Sequence, residues 1–446
     1  MMPITSKRIF IDVVERHADE AAFFWEQRER AARSPIFDLP ALQSIDDRLD
    51  ANLEGLLVAG QDGLRVALGA FDRATRSTEG PDGELFAASY VAVELADNLA
   101  LARLLAFAQR AQRHERAFVA ALAWLPTASA ERVLNDLLAV DCPPALHRFG
   151  IAARGARRED PGPALARALV ADDAPLRASA CRAAGRFGRK DLLPQLRDMT
   201  TSPHEPIRIW AAWAAVLLGD SASRKVLWDT VAESDDSSRE GASWNERASP
   251  PDDAGAALQD DAAARAACDL AARASDPAEA AQMLVTLSAS ERLLPAALAG
   301  AAARGDPACL SWVLDVVERK PTFARRAAWV YATITGARPE PPLFVRVPSE
   351  VPSNSGLAEH LGDPHRDLPA PVAEALREHW SAARLLLRDG KRYLGGKPLD
   401  SAWLRQCLRE GPQPWRASAA IELQRALGGK VLFPILAPAR AQLALL

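Results

Sequence analysis

The segment GKRYLGGKP, from Gly390 to Pro398, is the part of the sequence that comes closest to a nucleotide-binding motif. A phosphate-binding loop needs four residues between two glycines, then a lysine and a hydroxyl residue that reaches Mg²⁺. Gly390 and Gly395 have the first spacing. However, Gly396 displaces Lys397, and Pro398 stands where the hydroxyl is required. The segment therefore predicts a structural turn rather than a phosphate site.

Two groups of histidines and carboxylates could bind a metal. His17 and Glu20 lie one helical turn apart with no evident third ligand, which predicts a partly buried, hydrogen-bonded histidine. The second group stands in a proline-rich segment and consists of His360, His365, Glu359, Asp363 and Asp367. Flexible polar segments produce such groups by chance. We therefore predict no metal site.

The five cysteines are scattered through the chain without a CxxC pair: Cys142, Cys181, Cys268, Cys309 and Cys407. Four of them lie in predicted apolar helices, so buried free thiols are expected. The sequence has no GxSxG or HExxH motif and no cysteine placed as a nucleophile. We therefore predict a protein that is not an enzyme and has no cofactor.

Composition narrows the class of protein further. The chain has 446 residues, of which 49% are hydrophobic and 25% charged, as in soluble globular proteins. Its net charge of −4 gives no overall attraction to DNA or anionic lipid, so a nucleic-acid partner is not expected. The sequence has neither a signal-peptide pattern nor an uncharged stretch of about 20 residues that could cross a membrane. We expect a cytoplasmic protein without membrane contact.

Two near-copies of one unit follow each other between Asp172 and Asp220. The positions that recur, about 30 residues apart, are Pro175 and Pro206, Arg177 and Arg208, and Gly188 and Gly219. Each copy predicts two helices whose apolar stripe only stacked neighbours can bury. Because alanine and leucine dominate elsewhere as well, we predict an all-α fold, an α-solenoid of helical hairpins.

The predicted organisation has four parts: an N-terminal helical region (1–83), the solenoid (84–336), a proline-rich linker (337–371) and a small helical C-terminal module (372–446). A polar, acidic loop insertion at 233–257 interrupts the solenoid. The C-terminal module is expected to contain a helix with Trp380, Leu385 and Leu386, a turn at GKRYLGGKP, and helices at 400–409 and 413–427.

Several stretches together resemble a known family. They are VVERHADEAAFFWEQRERA, IDDRLDANLEGLLVAG, AWVYATITG, HW followed by GKRYLGGKPLDSAWL, and PQPWRASAAIELQRALGG. In order and spacing they are similar to a bacterial family of HEAT-like repeat proteins that is commonly encoded beside type VI secretion genes. The resemblance covers nearly the whole chain. It implies an accessory role around that contractile injection machine and supplies no mechanism.

The candidate protein-binding residues are Trp210, Trp213, Trp244, Lys391, Arg392 and Tyr393. Trp210 and Trp213 share a helix face, which indicates either core packing or an aromatic anchor for a partner. Trp244 is the single aromatic residue of the acidic insertion. The GKRYLGGK segment is basic in an acidic chain, so its charges are either merely solvated or steer an acidic partner.

These observations favour a non-enzymatic scaffold that binds a protein. With the resemblance, the expected partner is a type VI secretion effector or spike component, and the expected role is that of chaperone, adaptor or assembly factor. One alternative is an immunity-type inhibitor of a neighbouring toxin. A further alternative is a cofactor-handling protein, since HEAT-like repeats also occur in bilin lyases. A nucleic-acid binder would need a continuous basic stripe along the repeats.

Overall fold

A computed structural model describes residues 9–77, 80–236, 254–346, 364–365, 368–428 and 430–446 of the chain. The side chains of 112–113, 234–236 and 254–261 are outside this description. Helices dominate the described residues, and the strands form two antiparallel pairs of two residues each. The all-α, solenoid fold predicted from the sequence is confirmed. Trp244 and most of the acidic insertion lie outside the described residues.

The chain divides into two compact units. Unit 1 comprises the described residues of Met1–Ala32, Leu39–Pro161 and Leu436–Leu446. Unit 2 comprises those of Arg33–Asp38 and Gly162–Ile435. The domain boundaries predicted at residues 84, 336 and 372 stay a prediction.

The α-helices of unit 1 are α1 (Ile11–Ala31), α2 (Leu39–Val58), α3 (Gln61–Ala74), α4 (Asp82–Glu94), α5 (Asn98–Ala108), α6 (Gln112–Trp124), α7 (Thr127–Leu137), α8 (Pro144–Arg157) and α22 (Ala439–Leu443). Helices α1, α4, α6 and α8 pack side by side as one layer, and α3, α5 and α7 pack on it. Helix α4 is the centre of this core because its residues from Leu85 to Val93 are all buried. Phe86 of α4 stacks on Trp25 with ring centroids 5.4 Å apart.

The C-terminal segment Leu436–Leu446 belongs to unit 1, where α22 packs on α2. Arg28 donates to the carbonyl oxygens of Leu436 and Ala437 at 2.7 and 2.6 Å. Its Nε also donates to Asp46 at 3.3 Å, and Asp46 in turn accepts from the backbone N–H of Ala439 at 2.6 Å. We call these interactions the Asp46 cluster. In this cluster, one buried arginine and one buried carboxyl group hold the segment Leu436–Leu446 in place.

Unit 2 begins with α9 (Pro163–Leu169), α10 (Ala174–Phe187), a 3₁₀ turn (Lys190–Leu192), α11 (Leu193–Met199), α12 (Glu205–Leu217), α13 (Arg224–Asp236), α14 (Ala254–Ala274) and α15 (Pro277–Ser288). It continues with α16 (Leu294–Arg304), a 3₁₀ turn (Pro307–Cys309), α17 (Leu310–Arg319) and α18 (Pro321–Thr335). Helices α10, α12, α14, α16 and α18 pack on one another in order. The partner helices α9, α11, α13, α15 and α17 each pack against this layer. This arrangement is the predicted stack of helical hairpins.

The repeat sequence explains each hairpin locally. In α10, the Asp173 side chain accepts from the N–H of Leu176 at 2.7 Å and so caps the helix start. Gly188 ends the helix with a φ of 69°, which glycine adopts without steric cost. Small residues then let neighbouring helices approach, because a Cβ on Gly185 would lie 2.9 Å from Ala214 of α12. Spacing, capping and residue size thus all favour the same hairpin.

The last part of unit 2 consists of β1 (Phe344–Val345), β2 (Ala370–Pro371), α19 (Ala373–Ala383), β3 (Tyr393–Leu394), β4 (Lys397–Pro398), α20 (Ser401–Glu410) and α21 (Gln413–Ala426). It caps the carboxyl ends of the layer helices, whose last carbonyl groups lack partners within a helix. Gly395 N–H donates to Thr333 of α18, and the Gln424 side chain donates to Gly185 of α10. The C-terminal elements therefore pack directly on the helical stack of unit 2.

Candidate partner-binding cavity

A cavity of about 700 Å³ opens between the β3–β4 hairpin, α20 and α21 in unit 2. Its lining includes Arg388, Lys391, Arg392, Tyr393, Ser401 and Glu422. We call it the basic cavity. The structure thus brings three of the residues singled out in the sequence, Lys391, Arg392 and Tyr393, to one concave site.

The hairpin that forms one wall of the basic cavity depends on Gly395 and Gly396. These residues connect β3 to β4 with φ angles of 60° and 74°. A two-residue hairpin loop with two positive φ angles is the turn that glycine pairs favour. The structural turn predicted for GKRYLGGKP is therefore confirmed. The sequence did not reveal the short strands on either side of it.

Arg392 is fixed to the body of unit 2 by hydrogen bonds to four oxygen atoms. Its Nε and one terminal nitrogen donate to the carbonyl oxygens of Arg304 and Ala303, at 3.0 and 3.1 Å. These oxygens lie at the carboxyl end of α16, where a cation is favoured by the helix dipole. The two terminal nitrogens also donate to the two carboxylate oxygens of Glu422 at 3.2 and 2.5 Å. Arg392, whose side chain is 20% exposed, is therefore the least exposed cation of the lining, and we call its part of the basic cavity the floor.

Glu422 is surrounded by three arginines, which together with Asp269 form what we call the Glu422 cluster. Arg273 donates to Glu422 at 2.7 Å and to both oxygens of Asp269 at 2.6 and 2.9 Å. Arg425 donates at 3.4 Å. Burial alone raises the pKa of Glu422, but the three arginines outweigh it and lower that pKa to about 2. The carboxylate is therefore ionised at neutral pH, and its cluster keeps an excess of positive charge.

Arg388 and Lys391 differ from Arg392 because both side chains are exposed. No carboxylate in the described part of the chain forms an ion pair with either of them. Their backbone is well fixed, since Arg388 N–H donates to the Tyr393 hydroxyl at 3.1 Å and Gly390 N–H donates to Asp306 at 2.8 Å. Tyr393 itself is 8% exposed and holds the hairpin in place. The two exposed cations are therefore presented on a rigid frame.

The predicted helix through Leu385 and Leu386 ends earlier than expected. Helix α19 ends at Ala383, and the two leucines lie in the following turn with 84% and 83% of their surfaces exposed. We call them the Leu385–Leu386 pair. Scattered exposed apolar residues are common, but these two are adjacent in the chain, and Leu386 stands two residues before Arg388 of the cavity lining, so the pair forms an apolar contact surface close to the cavity. Sequence periodicity missed this feature because it assigned both leucines to the helix.

The tryptophans of α12 have different environments. Trp213 is 5% exposed and packs in the core of unit 2. Trp210 is half-buried, and the guanidinium carbon of Arg182 lies 4.5 Å from its ring centroid. The structure therefore places Trp210 beside Arg182, whereas Trp244 lies outside the described residues.

The structure also shows the environments of the histidines and cysteines that were considered as metal ligands or reactive groups. His17 Nδ1 and Asn52 Oδ1 are hydrogen-bonded at 2.8 Å, as predicted for a helix histidine. Cys181, Cys268, Cys309 and Cys407 are buried free thiols, as predicted, and Cys142 is half-buried. Of the second histidine group only His365 lies among the described residues. Within the described ranges, no three His, Cys, Asp or Glu side chains form a group that could hold a metal.

Comparison with known proteins supports the repeat assignment. Residues 162–245 match a family model of HEAT repeats. This range begins with α9 and continues through the two near-copies of the repeat unit. The chain is therefore similar to HEAT-repeat proteins over that part of unit 2. No curated protein and no solved structure matches the chain.

HEAT repeats commonly mediate protein binding, and proteins built from them are typically scaffolds. Every helix within the described residues is too short or too polar to traverse a lipid bilayer. The basic cavity offers fixed positive charge beside exposed apolar surface. This combination suits recognition of a protein surface.

Proposed function

We propose that the protein is a non-enzymatic scaffold that binds a protein partner through the basic cavity and the adjoining Leu385–Leu386 pair. The observation that carries the proposal is the exposure of these two leucines, at 84% and 83%, close to an open cavity with two cations that form no ion pair among the described residues. Burying a leucine on binding contributes about 1.5–3 kcal/mol, so the pair can supply much of the affinity of an interface. The HEAT-repeat match supports a scaffold as the class of protein.

For the partner, we propose an effector or spike component of a type VI secretion system. The support for this choice is the resemblance of the sequence to the family encoded beside such systems. In that setting the protein acts as a chaperone, adaptor or assembly factor. Binding without bond-making chemistry is consistent with the cavity, where Arg392 and Glu422 are both engaged in structural hydrogen bonds.

The test is affinity purification of the tagged chain from its native host. We compare the wild type, the variant Leu385→Ser/Leu386→Ser and the control Val170→Ser, which alters a valine that is 73% exposed in the same unit. We expect one secreted protein to co-purify with the wild type and with the control in an amount nearly equal to that of the tagged chain. The leucine variant should capture at least about ten-fold less of it. The partner is then rebound from purified components.

Two results would contradict the proposal. One is the absence of any protein at near-equal amounts with the wild type. The other is equal capture of the partner by the leucine variant, which would place the binding surface elsewhere. If the captured protein is a toxin whose activity the chain abolishes at a one-to-one ratio, the role is that of an immunity protein rather than a chaperone.

A further inference from the structure

We infer that the basic cavity binds an acidic segment of the partner that carries carboxylates beside large apolar side chains. This inference rests on the proposed function and specifies the chemistry of its site. The segment's carboxylates meet Arg388 and Lys391, and its apolar side chains cover the Leu385–Leu386 pair.

The two cations are available for a partner. Arg388 and Lys391 are exposed, and neither forms an ion pair with a carboxylate among the described residues. Arg392, by contrast, already donates to Ala303, Arg304 and Glu422. The incoming carboxylates are therefore expected to bind at the mouth of the cavity and not at its floor.

The frame around these cations is rigid. Tyr393 accepts a hydrogen bond from the N–H of Arg388, and its own N–H donates to Gly305 at 2.8 Å. Asp306 accepts from Gly390 N–H at 2.8 Å. Because the backbone is fixed before binding, little conformational entropy is lost when a partner binds. The cavity is thus preorganised for its ligand.

The charge beneath the cavity also favours a negatively charged ligand. In the Glu422 cluster, three arginines face two carboxylates, those of Glu422 and Asp269. This surplus of positive charge adds to that of Arg388 and Lys391 at the mouth. A carboxylate that binds there is attracted both by these two cations and by the net positive charge of the cluster.

The apolar part of the surface lies next to the charged part. Leu386 is two residues before Arg388, which limits the separation of their Cα atoms to about 7 Å. A peptide in extended conformation rises about 3.3 Å per residue, so residues two or three apart can contact a leucine and a cation at once. The recognised segment therefore combines both kinds of side chain within a few residues.

A protein segment fits this site better than a nucleic acid. Asp389, next to Arg388 in the chain, and Asp400 of the cavity lining are also exposed, so the site suits a segment with a few spaced carboxylates better than a continuous phosphate backbone. The cations are gathered in one cavity of about 700 Å³. Nucleic acids are gripped along extended basic tracks, and single strands also need aromatic platforms for their bases. Two adjacent leucines instead resemble the apolar anchors of protein interfaces.

The experiment is selection of random twelve-residue peptides displayed on phage, with the full-length chain as bait. The variant is Arg388→Glu/Lys391→Glu, which changes two exposed side chains without ion pairs in the described chain. The matched control is Arg76→Glu/Lys225→Glu, which reverses one exposed arginine and one exposed lysine in other helices or turns. Circular dichroism and thermal melting verify that all three proteins are folded.

We expect the wild type and the control to enrich peptides with a net negative charge and with leucine, isoleucine or phenylalanine. A synthetic copy of the enriched peptide should bind the Arg388→Glu/Lys391→Glu variant at least about ten-fold more weakly, and its affinity for the wild type should fall as salt is added. The Leu385→Ser/Leu386→Ser variant should also bind it more weakly.

Four results would overturn the inference. These are no enrichment at all, enrichment without a charge bias, equal affinity for the wild type and the Arg388→Glu/Lys391→Glu variant, and displacement of the peptide by a single-stranded oligonucleotide at lower concentration. The proposed function is tested separately. If the variant with reversed charges still captures the native partner at near-equal amounts, the scaffold function stands and the inference about acidic segments falls.

Discussion

The Asp46 cluster of unit 1 and the Glu422 cluster of unit 2 both contain a buried carboxyl group, but they compensate its burial with different numbers of arginines. Each uses a buried carboxyl group and arginine to hold a segment from the last part of the chain. Asp46 has one arginine and one backbone N–H, and burial outweighs both and raises its pKa. Glu422 has three arginines, which lower its pKa to about 2 in spite of burial.

A third carboxyl group extends the comparison. Burial, together with the nearby carboxylates of Glu26, Asp19 and Asp82, raises the pKa of Glu84 in α4 to about 7. The three groups therefore form a series: burial prevails at Glu84, which lies among carboxylates, and at Asp46, which has one arginine, whereas three arginines outweigh burial at Glu422. The charges around a carboxyl group, together with its burial, decide the direction of its pKa shift.

The largest effect is expected where an arginine of the Glu422 cluster is removed. Arg273 is 2% exposed, so Arg273→Met leaves Glu422 and Asp269 with less compensation and should lower the free energy of unfolding by about 3–5 kcal/mol. Arg377→Met is the control, because Arg377 also pairs with two carboxylates but is 42% exposed. It should cost at most about 1 kcal/mol. Urea unfolding of both variants measures the difference, and equal losses would contradict the role of burial.

The next effect concerns pH in unit 2. Because the pKa of Glu422 is about 2 in the folded protein, its contribution is present above the ordinary pKa of glutamate and is lost as the pH falls toward 2. Glu422→Gln should therefore cost about 3 kcal/mol at pH 7 and progressively less in acid. Unfolding curves of variant and wild type between pH 7 and pH 3 test this, and a gap of constant size would refute it.

Glu84 should behave in the opposite way. A carboxyl group with a raised pKa stabilises the fold below its ordinary pKa, and this contribution is lost as the pH rises through about 7. Glu84→Gln removes the cost of ionising the group and should stabilise unit 1 at pH 8 by about 1–2 kcal/mol, after allowance for partial exposure. Thermal melting at pH 8 and pH 5 measures this. The benefit should be much smaller at pH 5, which is close to the ordinary pKa of glutamate, and a variant that is less stable at pH 8 would speak against the series.

The smallest effect is expected at Asp46. An asparagine can still accept one hydrogen bond there, so Asp46→Asn should cost about 1 kcal/mol at pH 7. Because the pKa of Asp46 is raised, the wild type gains stability relative to the variant as the pH falls toward the ordinary pKa of aspartate. The difference in the free energy of unfolding between wild type and Asp46→Asn should thus increase on acidification, whereas the difference for Glu422→Gln decreases. Unfolding curves over the same pH range measure both differences, and a change in the same direction would contradict the comparison.

The tandem repeat was the most informative feature of the sequence. Asp173, Pro175 and Gly188 define the start and end of α10, and the proline and the glycine recur in the next unit as Pro206 and Gly219, so local chemistry predicted the hairpins and their stacking. The turn at GKRYLGGKP was predictable for the same reason, since Gly395 and Gly396 favour a tight turn wherever they occur. The burial of four cysteines was also predictable, because each of them lies in an apolar stretch of the sequence.

Sequence reasoning could not assemble the basic cavity or the clusters. Arg273 and Glu422 are 149 residues apart and Arg28 and Ala437 are 409 apart, so nothing local in either segment indicates the pairing. Nor did periodicity reveal that α19 ends before the Leu385–Leu386 pair. Apolar residues at helical spacing look the same whether a partner element covers them or not.

The sequence by itself determined the helical class, the repeat and its hairpins, because helix propensity, capping and apolar spacing act over one or two turns. The tertiary structure alone decided which arginine meets which carboxylate, which cations remain at the mouth of the cavity, and which leucines stay exposed. The physical reason is the separation along the chain of the residues that interact. Burial and charge compensation depend on residues that are distant in the chain and close in space, and the properties of this site arise from them.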